Sequence, residues 1–507
     1  MEFENITFYD ADWLFCTGKT RFERIAVIGE NINPGEVFLS RFCTEFILIS
    51  SSEETLSMMK EFAAEQGIAN CIFVHRQDLP DMVNLRGVDY LLLYPSKTDD
   101  DCSIRLLKEL TMSGSIIGCH LKKVGPVYLH KLVSLLRKLG CERVDILWVF
   151  PSIERPTWSA PAKVSWGLLM LIRILDRYNA QSCGPPLIRK VVFNILVKAV
   201  LKAVFILFAP LQPLFIRDYH LIAYRGHVAR DEQLSSFIDR PFLKKSKPNK
   251  EGRIVFFVKG KRGSTDVVYF SKFREHENLL VNEMQRNTFA GCPISKGTYG
   301  DNRAFVCSRF LLGKRFPLSR NKVDLRPMEW LVNFQEKTFS GFWSGDAWKR
   351  DIASLTCQTA GDIVDKLLWF LEKEGRKTHK VAEHGDFDHL NLFLEKNRLC
   401  VLDWEYYRKD GDEFFDITYF LFNMYTELNP QLNTFNADYV RQSPYRKYLE
   451  YFMKKKGLGN TNLFLVATVI TLLRLKHQGV CCGGMKDARF NAFDPYIECL
   501  REEVARL

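Results

Sequence analysis

The stretch from Glu383 to Tyr419 reads EHGDFDHLNLFLEKNRLCVLDWEYYRKDGDEFFDITY, and its order decides what the second half of the chain is. His384-Gly385-Asp386 opens a loop, and Asn391 follows Asp386 by five residues. Two short apolar runs, Leu392–Leu394 and Leu399–Leu402, flank the turn Glu395–Arg398 and read as a hairpin that delivers Asp403 at its end. A carboxylate, a neutral amide oxygen and a second carboxylate therefore converge. Phosphoryl transfer needs such a set. One acid orients and deprotonates a hydroxyl, while an amide oxygen and another acid hold Mg²⁺ on phosphates.

The motif H-G-D-x-x-x-x-N is complete over His384–Asn391, and Leu402-Asp403-Trp404-Glu405 forms a second acid motif. In both, the chain resembles the aminoglycoside phosphotransferase and choline kinase family, relatives of the protein kinases by fold. The resemblance implies Asp386 as catalytic base, with Asn391 and Asp403 as Mg²⁺ ligands. It implies Asp416, in EFFDITYF, as brace of the catalytic loop and His384 as a loop-orienting residue. Asp388 and His389 fall on variable positions and read as surface. Upstream, Lys272 after VVYFS matches the strand lysine that meets the α- and β-phosphates of ATP. Glu283, in the helical run HENLLVNEMQRNTF, is its natural partner and Glu277 a poorer rival. Ala304–Leu312 resembles the hinge strand, whose backbone at Cys307–Arg309 would meet adenine.

One feature departs from the family: no G-x-G-x-x-G precedes these strands. The phosphate cover then falls within Lys244–Gly252, and the basic run through Arg262 either helps hold phosphates or is a solvated loop. Trp404-Glu405-Tyr406 resembles the choline and ethanolamine kinases. Tyr406, Tyr407 and Trp343 are candidates for a cation site, with ordinary aromatic packing as the other reading. The resemblance spans roughly Asp239–Leu507 and leaves the acceptor unread.

Before residue 161 the texture changes. Strand-like runs at Arg24–Gly29, Phe46–Ser50, Cys71–His75, Val88–Tyr94, Ser115–His120 and Val144–Phe150 alternate with helical ones. Glu53–Gln66 and His130–Leu139 are the clearest helices. Continuous apolar strands between helices indicate a parallel, doubly wound sheet. With IAVIGEN at the first strand–turn, this order resembles a class I S-adenosylmethionine-dependent methyltransferase. The resemblance implies Gly29 as the first turn glycine and Gln77-Asp78 as the position that contacts adenine. It then decays. Glu30-Asn31-Ile32-Asn33 stand where further glycines belong, and Ser50-Ser51-Ser52 where an acid takes the ribose hydroxyls, although Glu53 and Glu54 are near. S-adenosylmethionine binding and a cofactor-free scaffold both stay open.

Between these halves Leu187–Ile216 carries Lys190, Asn194, Lys198 and Lys202 at every fourth position. Four residues advance a helix by about 400°, so the polar stripe is narrow and the other faces are apolar. The segment is either a buried helix with snorkelling lysines or an interfacial helix on a bilayer. Asp218–Tyr224 reads as a strand returning to the first sheet, and Leu243–Gly252 as a lysine-rich linker. Strands at Arg253–Val258, Asp266–Phe270 and Ala304–Phe310 come next. Helices dominate from Pro327, at Thr359–Gly375, Tyr445–Lys456, Asn462–His477 and Asp494–Leu507.

Composition bounds the rest. At 507 residues the chain exceeds one ordinary core, and 47% hydrophobic residues exclude wholesale disorder. A net charge of +11 suits anionic partners such as nucleotides but is too small to argue for nucleic acid. Fourteen cysteines without a C-x-x-C, many in apolar runs, read as buried thiols of a reducing compartment. The acidic start and the absence of a long uncharged apolar run lead to the expectation of a cytoplasmic protein, membrane-associated only if 187–216 is the interfacial helix rather than the buried one.

The expected architecture is an α/β Rossmann-like, methyltransferase-like domain (1–161), an apolar helical extension and return strand (162–238), and an α+β bilobal kinase-like domain (small lobe 239–312, large lobe 313–507). The expected function is ATP- and Mg²⁺-dependent phosphorylation of a hydroxyl on a small molecule, a sugar or lipid-linked glycan. The alternatives are a methyltransferase, alone or bifunctional with the kinase, and a methyltransferase-like scaffold that recruits the kinase to its substrate.

Overall fold

The computed structural model describes residues 12–30, 32–81, 87–95, 111–151, 156–162, 170, 218–246, 253–260, 264–272, 277, 280, 294–299, 303–309, 314–356, 361–395, 397–404, 406–429, 436–483 and 493–507. Glu283, the segment 187–216 and most of the basic loop around Arg262 lie outside them. The chain divides into two compact units. Unit 1 comprises Met1–Glu277 with Ser295–Phe310, and unit 2 comprises Asn278–Ile294 with Leu311–Leu507.

Among the described residues, unit 1 is built on one mixed sheet of thirteen strands. In chain order these are β1 (Phe22–Ile28), β2 (Cys43–Ser50), β3 (Cys71–His75), β4 (Val88–Leu93), β5 (Thr111–Leu121), β6 (Cys141–Pro151), β7 (Pro156–Pro161), β8 (Tyr219–Arg225), β9 (Phe242–Ser246), β10 (Arg253–Lys259), β11 (Thr265–Ser271), β12 (Ile294–Tyr299) and β13 (Arg303–Arg309). Strands β3, β2, β1, β4 and β5 run parallel. The return strand β8 lies antiparallel between β5 and β6, with His120 opposite His220.

Alternation along each strand feeds two cores. On β1, Ile25 and Val27 join one core while Ala26 and Ile28 join the other. That double burial is why these runs are continuously apolar. Helix Glu53–Glu65 starts on Ser52, whose hydroxyl accepts from the Thr55 amide at 3.1 Å. The serines that interrupt the methyltransferase-like pattern thus end β2 and begin this helix. Cys16, Cys119 and Cys141 are buried free thiols, and burial pushes the first two up to about 12.

Two expectations need correction. The lysine-rich linker begins as strand: β9 covers Phe242–Ser246, and Lys244 is wholly buried. Alternation explains it, since Phe242 and Leu243 enter opposite cores and Lys244 turns onto the Trp13 ring at 3.8 Å. Nor does the expected boundary at 238/239 interrupt the sheet. Trp158 and Ser159 on β7 pair with Lys245 and Lys244 on β9, so the strands expected as a separate small lobe continue the first sheet.

Among the described residues, unit 2 holds two three-stranded sheets, from β14 (Lys314–Arg315), β15 (Gly341–Phe342), β16 (His379–Glu383), β17 (Leu392–Glu395), β18 (Arg398–Val401) and β19 (Arg408–Asp412). The hairpin β17–β18 forms in the expected place, with Asn397 at φ +68 in its turn. Helices Arg326–Thr338, Gly345–Thr356, Gly361–Lys373, Phe415–Leu428, Tyr445–Lys456, Asn462–Gly483 and Asp494–Arg506 supply most of one large core. Among the described residues no helix is long and apolar enough to cross a membrane.

At the carboxyl end of the unit 1 sheet, Trp13 stacks on His220 at 4.3 Å and meets His120 edge-on at 5.4 Å. Burial pushes His120 down to about 3 and His220 well below the ordinary histidine value. The unfolded chain therefore binds protons that the folded one refuses. The stability these neutral rings permit is complete above about pH 6.5 and declines as pH falls below it. His220→Phe, which keeps the ring stack, is expected to flatten the pH dependence of unfolding free energy between pH 6 and 4.5 by about 1.4 kcal/mol per pH unit. Urea unfolding at several pH values measures it.

Candidate active site

Strand β16 brings buried Val381, Ala382 and Glu383 to the start of the His384-Gly385-Asp386 loop. Gly385 has φ +82, and a Cβ there would sit 2.1 Å from the Tyr406 carbonyl oxygen. Only glycine fits that turn. Asp416, in the first turn of helix Phe415–Leu428, accepts the amides of His384 at 2.7 Å and Gly385 at 3.0 Å. Burial and the nearby charge of Glu383 push Asp416 up to about 8, and the two amides pull it the other way.

His384 is fixed in one tautomer. Its Nε2 lies 3.0 Å from the Leu402 carbonyl, which only accepts, so the proton sits on Nε2. Its Nδ1 accepts the Asp386 amide at 3.2 Å. A ring with both nitrogens committed to backbone orients the loop and shuttles no proton. The Leu402 amide also donates to the Asn391 carbonyl at 2.9 Å, so the residue before Asp403 is tied to both arms of the loop. Asp403 itself stands at φ +65. Beneath the loop Phe387 and Trp404 are fully buried, with Trp330 stacked on Phe387 at 5.4 Å.

The Asp386 carboxylate receives Asn391 Nδ2 on Oδ2 at 2.8 Å and the Tyr419 hydroxyl on Oδ1 at 2.9 Å. Burial first, then the charge of Asp403, pushes Asp386 up to about 7. The structure thus gathers Asp386, Asn391, Asp403, His384 and Asp416 around one loop. Asp388 and His389, expected on the surface, instead pair at 2.6 Å with both side chains nearly seven-eighths covered. The short 3₁₀ turn His389–Asn391 that returns Asn391 to Asp386 draws them in.

Mg²⁺ takes oxygen ligands and, on a nucleotide, needs only one or two from protein. Asn391 spends its amide nitrogen on Asp386, which leaves its oxygen for a cation, and the Asp403 carboxylate is close enough to raise Asp386. The donor set fits such an ion. Among the described residues no group of three or more His, Cys, Asp or Glu is placed to hold a metal by protein alone. Of the aromatic candidates, Trp343 donates its indole N–H to the Gly411 carbonyl at 2.9 Å, and Tyr406 is half exposed.

In unit 1, Lys272 lies directly after β11, almost fully buried, with Nζ 2.5 Å from Asp12 Oδ1. Its expected partner Glu283 lies outside the described residues. Cys307 and Arg309 lie on β13, in register with Val268 and Asp266 of β11. Gly29 donates its amide to the Ile49 carbonyl at 3.1 Å, and a Cβ there would stand 2.6 Å from the Tyr94 Cβ. Tyr94 stacks on His120 at 4.9 Å and donates its hydroxyl to Glu36. The close approach that demands glycine at 29 is therefore made by the chain's own tyrosine. Asp78 is exposed on the 3₁₀ helix Arg76–Asp81.

Three working residues escaped the sequence reading. Tyr419 follows Asp416 by three positions, one helical turn, and that spacing was its only signal. Glu383 and Arg474 were the others. Arg474, the first cation in the apolar helix run NLFLVATVITLLRLK, is buried with Nη2 2.6 Å from Glu383 Oε2 and Nη1 3.2 Å from Asp412 Oδ2. Asp412 in turn caps the helix Phe415–Leu428, accepting the amides of Phe414 at 2.9 Å and Phe415 at 3.0 Å.

No family model and no curated protein matches the chain. Solved structures similar to it fall into two groups. Choline kinase LicA from Streptococcus pneumoniae covers 50% of this chain and 90% of its own at 11% identity and TM-score 0.35. A thermostable aminoglycoside phosphotransferase mutant covers 52% and 94% at 15% identity and TM-score 0.35. A SAM-dependent O-methyltransferase from Thermotoga maritima covers 44% and 66% at 12% identity and TM-score 0.26.

Removing Arg474 strands two carboxylates in the core. Arg474→Met is expected to destabilise unit 2 by about 3–5 kcal/mol, as breaking a buried ion pair does. Denaturant titration followed by circular dichroism checks it.

Proposed function

We propose that the protein transfers the γ-phosphoryl group of ATP to the hydroxyl of a small molecule, with a sugar or lipid-linked glycan as the acceptor class. The observation that carries this reading is the Asp386 carboxylate, held by Asn391 and Tyr419 and facing the charge of Asp403. The complete motifs over His384–Asn391 and Leu402–Glu405 point to the same chemistry.

Asp386 accepts the hydroxyl proton as the acceptor oxygen attacks. A carboxylate raised toward neutrality by burial is a stronger base than one in water, and two hydrogen bonds fix its orientation. Asn391 and Asp403 would hold Mg²⁺, which supplies charge neutralisation on the phosphates. Asp416 and His384 keep the loop in register through the amides of residues 384–386. Lys272 adds a cation for the α- and β-phosphates. The apolar segment 187–216 brings the enzyme to a membrane-borne acceptor.

ATP consumption against a panel of hydroxyl acceptors tests the reading, with wild type beside Asp386→Asn. The variant is expected to lose about 10²–10⁴-fold in turnover, the range of a general base. Equal turnover in both refutes it. Tyr419→Phe removes one of two orienting bonds and is expected to cost about tenfold in kcat with little change in the KM for ATP, a loss near one hydrogen bond to a charged group.

A further inference from the structure

We infer that Asp12, on the short helix Asp12–Thr17, is the positioning residue for Lys272, so that the start of the chain completes the phosphate-binding lysine. The inference rests on the phosphotransferase reading above.

Side chains along β11 alternate between faces, and Lys272 shares the parity of Val268 and Phe270. Those two residues belong to the core that also contains Trp13, Leu14 and Phe15. The helix carrying Asp12 therefore covers the face from which Lys272 projects. Its carboxylate meets Lys272 through Oδ1 at 2.5 Å and Lys244 through Oδ2 at 3.9 Å, with all three side chains at least 97% buried. Trp13, the next residue, lies under the Lys244 ammonium at 3.8 Å. The backbone is tied to the same place, because Arg303 donates to the Lys272 carbonyl at 2.7 Å and to the Thr20 carbonyl at 3.3 Å.

Two ammonium groups share this buried site with one carboxylate. Asp12 holds the Lys272 Nζ in place through its Oδ1. An ammonium has three donors, so two N–H groups remain for phosphate oxygens.

Calorimetry on the full chain with Mg²⁺ and a non-hydrolysable ATP analogue tests the assignment. Asp12→Asn is expected to weaken binding about tenfold or more, the scale of one charge-assisted contact to phosphate, and Asp12→Glu to restore most of it. In a Lys272→Met background Asp12→Asn should add no further loss, because the carboxylate acts through that lysine. Wild-type affinity in Asp12→Asn, or losses that multiply in the double variant, overturns the inference while leaving the phosphotransferase reading standing. If Asp12→Asn does not fold, Asp12→Ser enters the same cycle with the same expectations. If wild type binds no analogue, or Asp386→Asn consumes ATP as wild type does, that reading falls and takes this inference with it.

Discussion

The guanidinium of Arg474 sits between Glu383 and Asp412, and the order of the second unit follows from that contact. Glu383 ends β16 at the residue before the His-Gly-Asp loop, and Asp412 ends β19. The two carboxylates are buried, and each alone would repel the other; one planar cation with paired donors satisfies both. The Asp412 amide also donates to Glu383 Oε1 at 2.8 Å, so charge pair and backbone reinforce one another. From this point Asp412 starts the helix Phe415–Leu428. That helix places Asp416 under the loop amides and Tyr419 against Asp386. The placement of Asp386 thus depends on a contact it does not make.

Unit 1 is organised by a different constraint. Its sheet must bury polar strand ends where β4, β5, β8 and β9 contribute Tyr94, His120, His220 and Lys244 around Trp13. Aromatic stacking and neutral histidines make that burial tolerable. Gly29 is spent on the approach of Tyr94, and the serines at 50–52 on ending a strand and capping a helix. Each of these positions has a packing role of its own here.

Much of the fold was legible because strands buried on both sides are apolar without interruption, as Ile25–Ile28 of β1, Phe46–Ile49 of β2 and Tyr90–Leu93 of β4 show. The return strand at Asp218–Tyr224 was legible for the same reason, although its place between β5 and β6 was not. Strand β9 was missed because lysines at 244 and 245 resemble a linker, and nothing local says that one lies buried over the Trp13 ring. At the His384-Gly385-Asp386 loop, the spacing of Asp386, Asn391 and Asp403 could be read because a turn and one hairpin bring them together over eighteen residues. Asp388 and His389 were misplaced because their cover comes from the packed loop.

By itself the sequence determined the apolar strands of unit 1, the hairpin that follows the His384-Gly385-Asp386 loop and the glycine that lets that loop turn. These depend on side-chain periodicity and on contacts between near neighbours, which a linear string records. Only the tertiary structure decided which charges are neutralised and by whom. Arg474 reaches Glu383 across 91 positions, and Asp12 reaches Lys272 from the far end of unit 1. The reason is physical: a buried charge must find an opposite one wherever folding brings it, and sequence separation places almost no limit on where that is.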